Sequence, residues 1–173
     1  EAAFWERYEA FLERILPVAE EAGVRLALHP ADPPVVERLD GIPRLFRDPE
    51  SFERAMGAVE SDAHGLKLCL GCFSEMGESA VETVERFGDD IVFVHFRDVV
   101  GSMPAFHETF LDDPESNFDP LDAVRALDRV GFDGVMVPDH VPDVEGDTDW
   151  GHRGRGYTAG YLKGLVHAVR DGE

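Results

Sequence analysis

Two histidines, a cysteine and an aspartate close four short apolar segments of this chain. VRLALHP carries His29, GLKLCLG carries Cys69, IVFVHFRD carries His95, and DGVMVPDH carries Asp139 and His140. Each segment reads as a β-strand. A parallel α/β barrel gathers the C-terminal ends of its strands into one mouth, where its active sites sit. Residues far apart in sequence converge there. Two imidazoles, a thiolate and a carboxylate suit a borderline divalent ion such as Mn²⁺, Fe²⁺ or Zn²⁺. Singly, each has an ordinary reading. A strand-end histidine is more often a hydrogen-bonded structural residue, a cysteine a small buried hydrophobe, an aspartate a cap or turn residue. Their shared place at the ends of successive strands favours a metal site.

Other reactive side chains surround this set. Adjacent strand-end residues point in different directions, so one of Asp139 and His140 reaches the ion. His140 then becomes a candidate acid or base beside it, or else an ordinary loop histidine. His107, in Phe106-His107-Glu108, is either a contact for an anionic or hydroxylated substrate or a solvated loop residue. The run Gly151-His-Arg-Gly-Arg-Gly-Tyr157 is the densest polar constellation. Arg153 and Arg155 can fork onto a carboxylate, and Tyr157 can give or take a proton. Its spacing is not that of a phosphate-binding P-loop; its plain alternative is a flexible basic turn before a helix. His64, His152 and His167 read as surface or structural residues. Cys72 makes a Cys-x-x-Cys pair with Cys69, a pattern of redox motifs and of half zinc sites. No second pair exists, so a single ligand with an incidental neighbour is expected rather than a disulfide, which fits a reducing cytoplasm.

The elements that must position these residues alternate between helix and strand, the pattern of an α/β fold with a parallel sheet. Phe4, Tyr8, Phe11, Leu12 and Ile15 recur at helical spacing. Pro17 is expected to kink or divide that helix, and Gly23 to stop it. A strand over 24–28 leads into the proline-rich loop His29-Pro-Ala-Asp-Pro-Pro. Asp48-Pro49 opens a helix to about residue 60. A strand over 66–70, a loop through Gly77, a helix over 79–87 and a strand over 91–96 follow. A long loop is expected over 99–117, the kind that often serves as a lid or binding loop. Asp119-Pro120 repeats the helix-start chemistry for 121–130. A strand over 134–137, an acidic loop over 141–150 and a helix over 157–169 complete the chain. No linker divides it, so residues 1–173 read as one partial barrel domain.

Length and charge set bounds. The 173 residues are enough for one domain but too few for a complete (β/α)₈ barrel of roughly 200–250 residues. No apolar run approaches the ~18 residues of a membrane span. The N-terminus is a charged amphipathic stretch with no signal-peptide pattern and no initiator Met, so the chain is expected to begin within a longer reading frame. The net charge is −20, from 36 acidic and 16 basic residues. That argues against a nucleic-acid partner, since phosphates need a basic face. The acids are dispersed, the composition of a protein that stays soluble at high salt. A halophilic origin is expected, with an ordinary acidic cytosolic protein as the alternative.

The segments LALHPADPP, GIPRL, LCLGC, FVHFRD, FHETF, VMVPDH and GRGYTAGYLKGL, in that order, resemble mannonate dehydratase, a metal-dependent sugar-acid dehydratase with a xylose-isomerase-like barrel. The resemblance runs from His29 almost to the C-terminus. It implies removal of water from D-mannonate to give 2-keto-3-deoxy-D-gluconate, a step of hexuronate catabolism. It implies Mn²⁺ or Fe²⁺ on His29, Cys69, His95 and Asp139, and proton transfer by His140 and Tyr157. Arg44, Arg97, His107 and Arg155 are the expected substrate contacts. The family's usual Cys-Thr-Gly-Ser stands here as Cys69-Leu-Gly-Cys72, which removes a hydroxyl contact. Only about four of the eight strands are present, those of the C-terminal half. A homo-oligomer, or a missing N-terminal half barrel, is the expected partner. An isomerase or epimerase on the same metal mouth is one alternative; a truncated, non-catalytic metal-binding half barrel is the other.

Overall fold

The computed structural model describes residues 1–34, 37–170 and 172. Its centre is a parallel sheet of four strands, β1 (Leu26–Leu28), β4 (His64–Cys69), β5 (Ile91–His95) and β8 (Val135–Val137), in the order β1-β4-β5-β8. Cys69 pairs with His95, and His95 with Val137, so the C-terminal ends of the three strands are level. This is the parallel α/β arrangement, in partial-barrel form, that the alternating pattern predicts. The expected strands and most helices are present, with ends shifted by a few residues.

Helices cover one face of the sheet. They are α2 (Pro49–Met56), α3 (Leu70–Met76), α4 (Ala80–Phe87), α5 (Pro120–Arg129) and α6 (His152–Arg170). Side chains alternate across a strand, and Leu66, Leu68, Val94 and Phe96 all enter the core that these helices complete. Phe52 on α2 is its aromatic centre, fully buried, with the rings of Phe46, Phe73 and Phe87 at 6.0, 5.2 and 6.5 Å. The other face carries Lys67 above the ring of Phe93, and Val135 is 57% exposed. An apolar strand residue left that open has no covering layer among the described residues.

Four local expectations are corrected. Helix α1 (Ala2–Ala22) runs unbroken through Pro17. Leu12, Leu16 and Ala19, on either side of the proline, pack on Ala63, and this packing holds the helix across the lost hydrogen bond. The loop expected before Gly77 is instead α3, which starts directly at the end of β4. Residues 99–117 are not one long loop. They hold most of a hairpin, β6 (Asp98–Ser102) against β7 (Ala105–Thr109), with Val100 opposite His107. Finally, α6 begins at His152, so the glycine-rich run is helical. Asp147 makes this possible: its carboxylate accepts the free N–H groups of Arg153 and Gly154 at 2.8 and 3.0 Å. A smaller hairpin, β2 (Arg38–Leu39) with β3 (Ile42–Pro43), follows β1. Among the described residues, no helix is long and apolar enough to cross a membrane.

Phe52 supplies the test of this core. Phe52→Ala removes a ring that three others enclose, and is expected to cost about 3–5 kcal/mol in urea unfolding. A loss below about 1 kcal/mol would show that the aromatic cluster does not hold α2 to the sheet.

Candidate metal centre

The four strand ends deliver His29, Cys69, His95 and Asp139 to one point. Their ligand atoms all lie within 4.8 Å of one another. His29 Nε2 is 3.2 Å from His95 Nδ1, which is itself 2.8 Å from Asp139 Oδ2. The other nitrogen of His29 lies 2.8 Å from the carbonyl oxygen of Pro30. A proton held there on Nδ1 leaves Nε2 free as a ligand, the usual way a backbone carbonyl fixes a metal-binding tautomer. Asp139 lies two residues beyond β8 with φ 53°, a left-handed conformation rare outside glycine and tolerated best by Asn and Asp. That turn carries its carboxylate back over the sheet.

The electrostatics suit a cation. Burial opposes ionisation of Cys69. Hydrogen bonds from Cys72, His29 and His95, with the charge of Arg97, outweigh it and hold the thiol well below its ordinary value. Burial also works against charge on His95 and Asp139. Their mutual hydrogen bond prevails, raising the imidazole and lowering the carboxyl. A thiolate, a carboxylate and two imidazoles at one point form a donor set for a borderline divalent ion.

Beneath this set lies Arg97, 2% exposed. Its Nη1 donates to Glu75 Oε1 at 2.7 Å and Glu108 Oε1 at 3.0 Å. Its Nη2 donates to Asp32 Oδ2 at 2.9 Å and meets Cys72 Sγ at 3.4 Å. Its Nε lies 3.6 Å from Asp139 Oδ2. The residue expected to touch substrate thus has both terminal nitrogens engaged by the protein, with only Nε lacking a hydrogen bond, and it links the segments after β1 and β8 with α3 and the hairpin. Asp32, Cys72, Glu75 and Glu108 were not among the expected site residues. The sequence marked only Cys72, as a neighbour of Cys69, and nothing in it singled out the three acids, because they matter only through a guanidinium whose position the fold sets.

The remaining expected site residues lie at different distances from the centre. His140 is beside it, Nδ1 3.1 Å from Glu108 Oε1 and Nε2 3.9 Å from Asp139 Oδ2. Tyr157 lies on α6, 48% exposed, and its hydroxyl donates to Asp112 Oδ2 at 2.6 Å rather than to any of the four ligands. That hydrogen bond, more than burial, raises its pKa. His107 is exposed on β7 and alternates with Glu108, which faces Arg97; His107 therefore faces away from the centre. Arg155 donates to the carbonyl of Trp150 at 2.8 Å and stacks on its ring at 4.6 Å, bracing the acidic loop. Arg44 is half-buried just after β3, its backbone N–H bonded to Glu37. His64, expected to be structural or superficial, is buried at the start of β4, with Nε2 3.0 Å from the Tyr8 hydroxyl.

Glu75 makes the electrostatics measurable. Burial raises its pKa from 4.5 to about 7, against the pull of Arg97. The folded state therefore keeps a proton that the unfolded chain releases. This contribution to stability is complete below the unfolded value and is lost as pH climbs through about 7. Glu75→Gln keeps the hydrogen-bonding oxygen without the titration. Urea unfolding from about pH 5 to 8 should give a parent whose stability falls relative to the variant. Parallel pH profiles would show that Glu75 is ionised throughout.

Comparison with known proteins agrees with this geometry. The family model described as D-mannonate dehydratase (UxuA) matches residues 1–173. A mannonate dehydratase of Streptococcus uberis is 32% identical over 176 residues, covering 98% of this chain and 50% of that protein. One from Thermotoga neapolitana is 31% identical over 181 residues, covering 98% and 48%. The crystal structure of mannonate dehydratase from Streptococcus suis serotype 2 superposes with a TM-score of 0.91 at 30% identity, covering 99% of this chain and 51% of that one. A xylose isomerase domain protein from Alicyclobacillus acidocaldarius shares the fold, with a TM-score of 0.69 at 16% identity. The chain spans about half the length of the curated relatives it matches. Four strand ends converging on one donor set, and a match along the whole chain, place this protein in the mannonate dehydratase family.

Proposed function

We propose that this chain supplies the metal-binding half of an enzyme that removes water from D-mannonate to give 2-keto-3-deoxy-D-gluconate. The observation that carries the reading is the convergence of His29, Cys69, His95 and Asp139 within 4.8 Å. These residues would hold Mn²⁺ or Fe²⁺, and the bound ion would supply Lewis-acid polarisation of the sugar acid. The protein's own groups do the rest. One of His140 and Tyr157 takes the C2 proton, and the other protonates the C3 hydroxyl as it leaves as water. The resulting enol becomes the 2-keto acid. Glu108 joins His140 to Arg97 and so orients the imidazole. Arg97 acts as a positioning residue, since its guanidinium is already engaged. Arg44 and Arg155 are the candidate contacts for the substrate carboxylate, and His107 is the least favoured contact from its outward face. Tyr157 must exchange Asp112 for substrate to take part. Sugar turnover without loss of water would favour an isomerase or epimerase on the same site.

Tyr157→Phe and His140→Asn should each lower mannonate dehydration by about 10²–10⁴ while leaving Mn²⁺ content unchanged. The assay uses the assembled enzyme and follows the keto product. Activity within a few-fold of the parent would remove that residue from the mechanism.

The bare sheet face sets the partner. We infer that the face of Lys67, Phe93 and Val135 packs against a second half barrel, from further sequence of the same protein or from another copy. A charge of −20 opposes that approach at low salt. Screening shortens to about 3 Å at 1 M salt, so association should strengthen as salt rises. Sedimentation across a salt series tests this, and a compact monomer at every concentration would defeat it. The dispersed acidity fits the halophilic setting expected from composition, and the free thiols fit a reducing cytoplasm.

A further inference from the structure

Val141 follows His140 and turns its side chain into a notch at the start of α6. A Cβ on Gly151 would lie 3.1 Å from Cγ2 of Val141, and a Cβ on Gly154 would lie 3.0 Å from the same methyl carbon. Carbon atoms pack best about 3.5–4.0 Å apart, so neither position has room for a side chain. A Cβ on Gly156, Gly160 or Gly164 of the same helix would meet nothing within 4 Å. The close approach is thus confined to the place where Val141 enters. The loop between is tied to the same turn, since the Gly151 N–H donates to the Thr148 carbonyl at 2.8 Å and Asp147 caps the helix. This contact joins the two candidate proton-transfer groups. Val141 is the residue after His140, and Gly154 is one helical turn before Tyr157. The two groups also meet one segment beyond the hairpin turn. His140 Nδ1 is 3.1 Å from Glu108 Oε1, and Tyr157 donates to Asp112 Oδ2 at 2.6 Å with its ring edge-on to Phe110 at 5.4 Å. The contact of Tyr157 with Asp112 is given up for substrate, whereas the valine contact is kept.

We propose that Val141 is the positioning residue of the two proton-transfer groups: a wedge in the notch of Gly151 and Gly154 that sets the separation of His140 and Tyr157. The inference rests on the proton-transfer roles given above. Taking a proton from one carbon and giving one at the next needs both groups at fixed reach of a single sugar acid. A misplacement of about 1 Å costs on the order of 10²-fold in rate. Valine suits the task, because a β-branched side chain is stiff at χ1 and does not yield. It also brings no charge or hydrogen bond that would compete with substrate or ligands. The two glycines are the other half of the device, since they let the methyl reach the helix backbone. A methyl group added at residue 154 has to push the segment after His140 off the helix by about 0.5–1 Å, the shortfall from a normal carbon separation.

The test uses the assembled, Mn²⁺-loaded enzyme with D-mannonate. Gly154→Ala should lower kcat about 10- to 10²-fold, with KM and Mn²⁺ content near the parent's. Alanine is the better helix former, so α6 itself is retained. Crystals of this variant should show His140 and Tyr157 farther apart by about 0.5–1 Å. Val141→Ala alone cannot crowd the helix; it leaves the notch unfilled and should lower kcat several-fold. Combining the two puts the new methyl where the old ones were, and should return most of kcat and the parent separation. Gly160→Ala, in open space on the same helix, should change neither. Parental kcat in either single variant, a loss carried by KM alone, an unchanged separation, or a double variant no better than Gly154→Ala would each overturn the proposal. A parent enzyme that does not dehydrate mannonate overturns the functional reading, and the catalytic role of the wedge with it. A parent that does, followed by any of those outcomes, overturns the wedge alone.

Discussion

The guanidinium of Arg97 is the interaction on which the rest of the site depends. A buried cation is costly unless its hydrogen bonds are matched, by several kcal/mol per ion even after relaxation. Here the two terminal nitrogens are matched by carboxylates from separate parts of the chain, Asp32 after β1, Glu75 on α3 and Glu108 on the hairpin, while Nε, without a hydrogen bond, lies 3.6 Å from a fourth, Asp139 after β8. Each acid is held by the same group, so the four segments keep a fixed relation at the mouth. Gly71 is part of this arrangement. A Cβ there would lie 2.5 Å from Arg97 Nη1, so only glycine lets α3 pass so close to the guanidinium.

One cation among four carboxylates leaves an excess of negative charge. Glu75 relieves part of it by holding its proton to about pH 7. The lowered thiol of Cys69, in contact with the two imidazoles, adds to the excess that remains. A divalent ion is the natural complement of such a site, because it offsets charge that the protein has gathered without neutralising. The same acids orient the reactive groups. Glu108 contacts both Arg97 and His140, so the candidate proton-transfer residue is positioned by the network that holds the ligands.

The sheet explains why the chain is built around an unfinished face. Helices α2 to α6 cover one side, and their apolar residues form a continuous core with Phe52 inside. The other side continues the barrel interior and ends at the donor set. Its exposed Val135 and the edges of β1 and β8 call for more sheet. The four candidate ligands come from the strands present, and so the donor set is assembled within a half barrel while one face of the sheet stays open.

The clustering of His29, Cys69, His95 and Asp139 was legible in the sequence because it depends on two local facts: a strand pattern and the residue that ends it. Parallel strands bring such ends together whatever the details of packing. The same logic found most strands and the helices opened by Asp48-Pro49 and Asp119-Pro120, where capping chemistry is local. The hairpin over 98–109 was not legible, since its turn at Met103-Pro104 lacks the usual glycine signal. The early start of α6 was hidden too, because its cap is Asp147, several residues upstream. Only the tertiary structure decided the role of Arg97. A sequence shows an arginine beside a candidate ligand, but not that distant acids already occupy it. It likewise placed Cys72 against that guanidinium, with its sulfur 3.4 Å from Nη2.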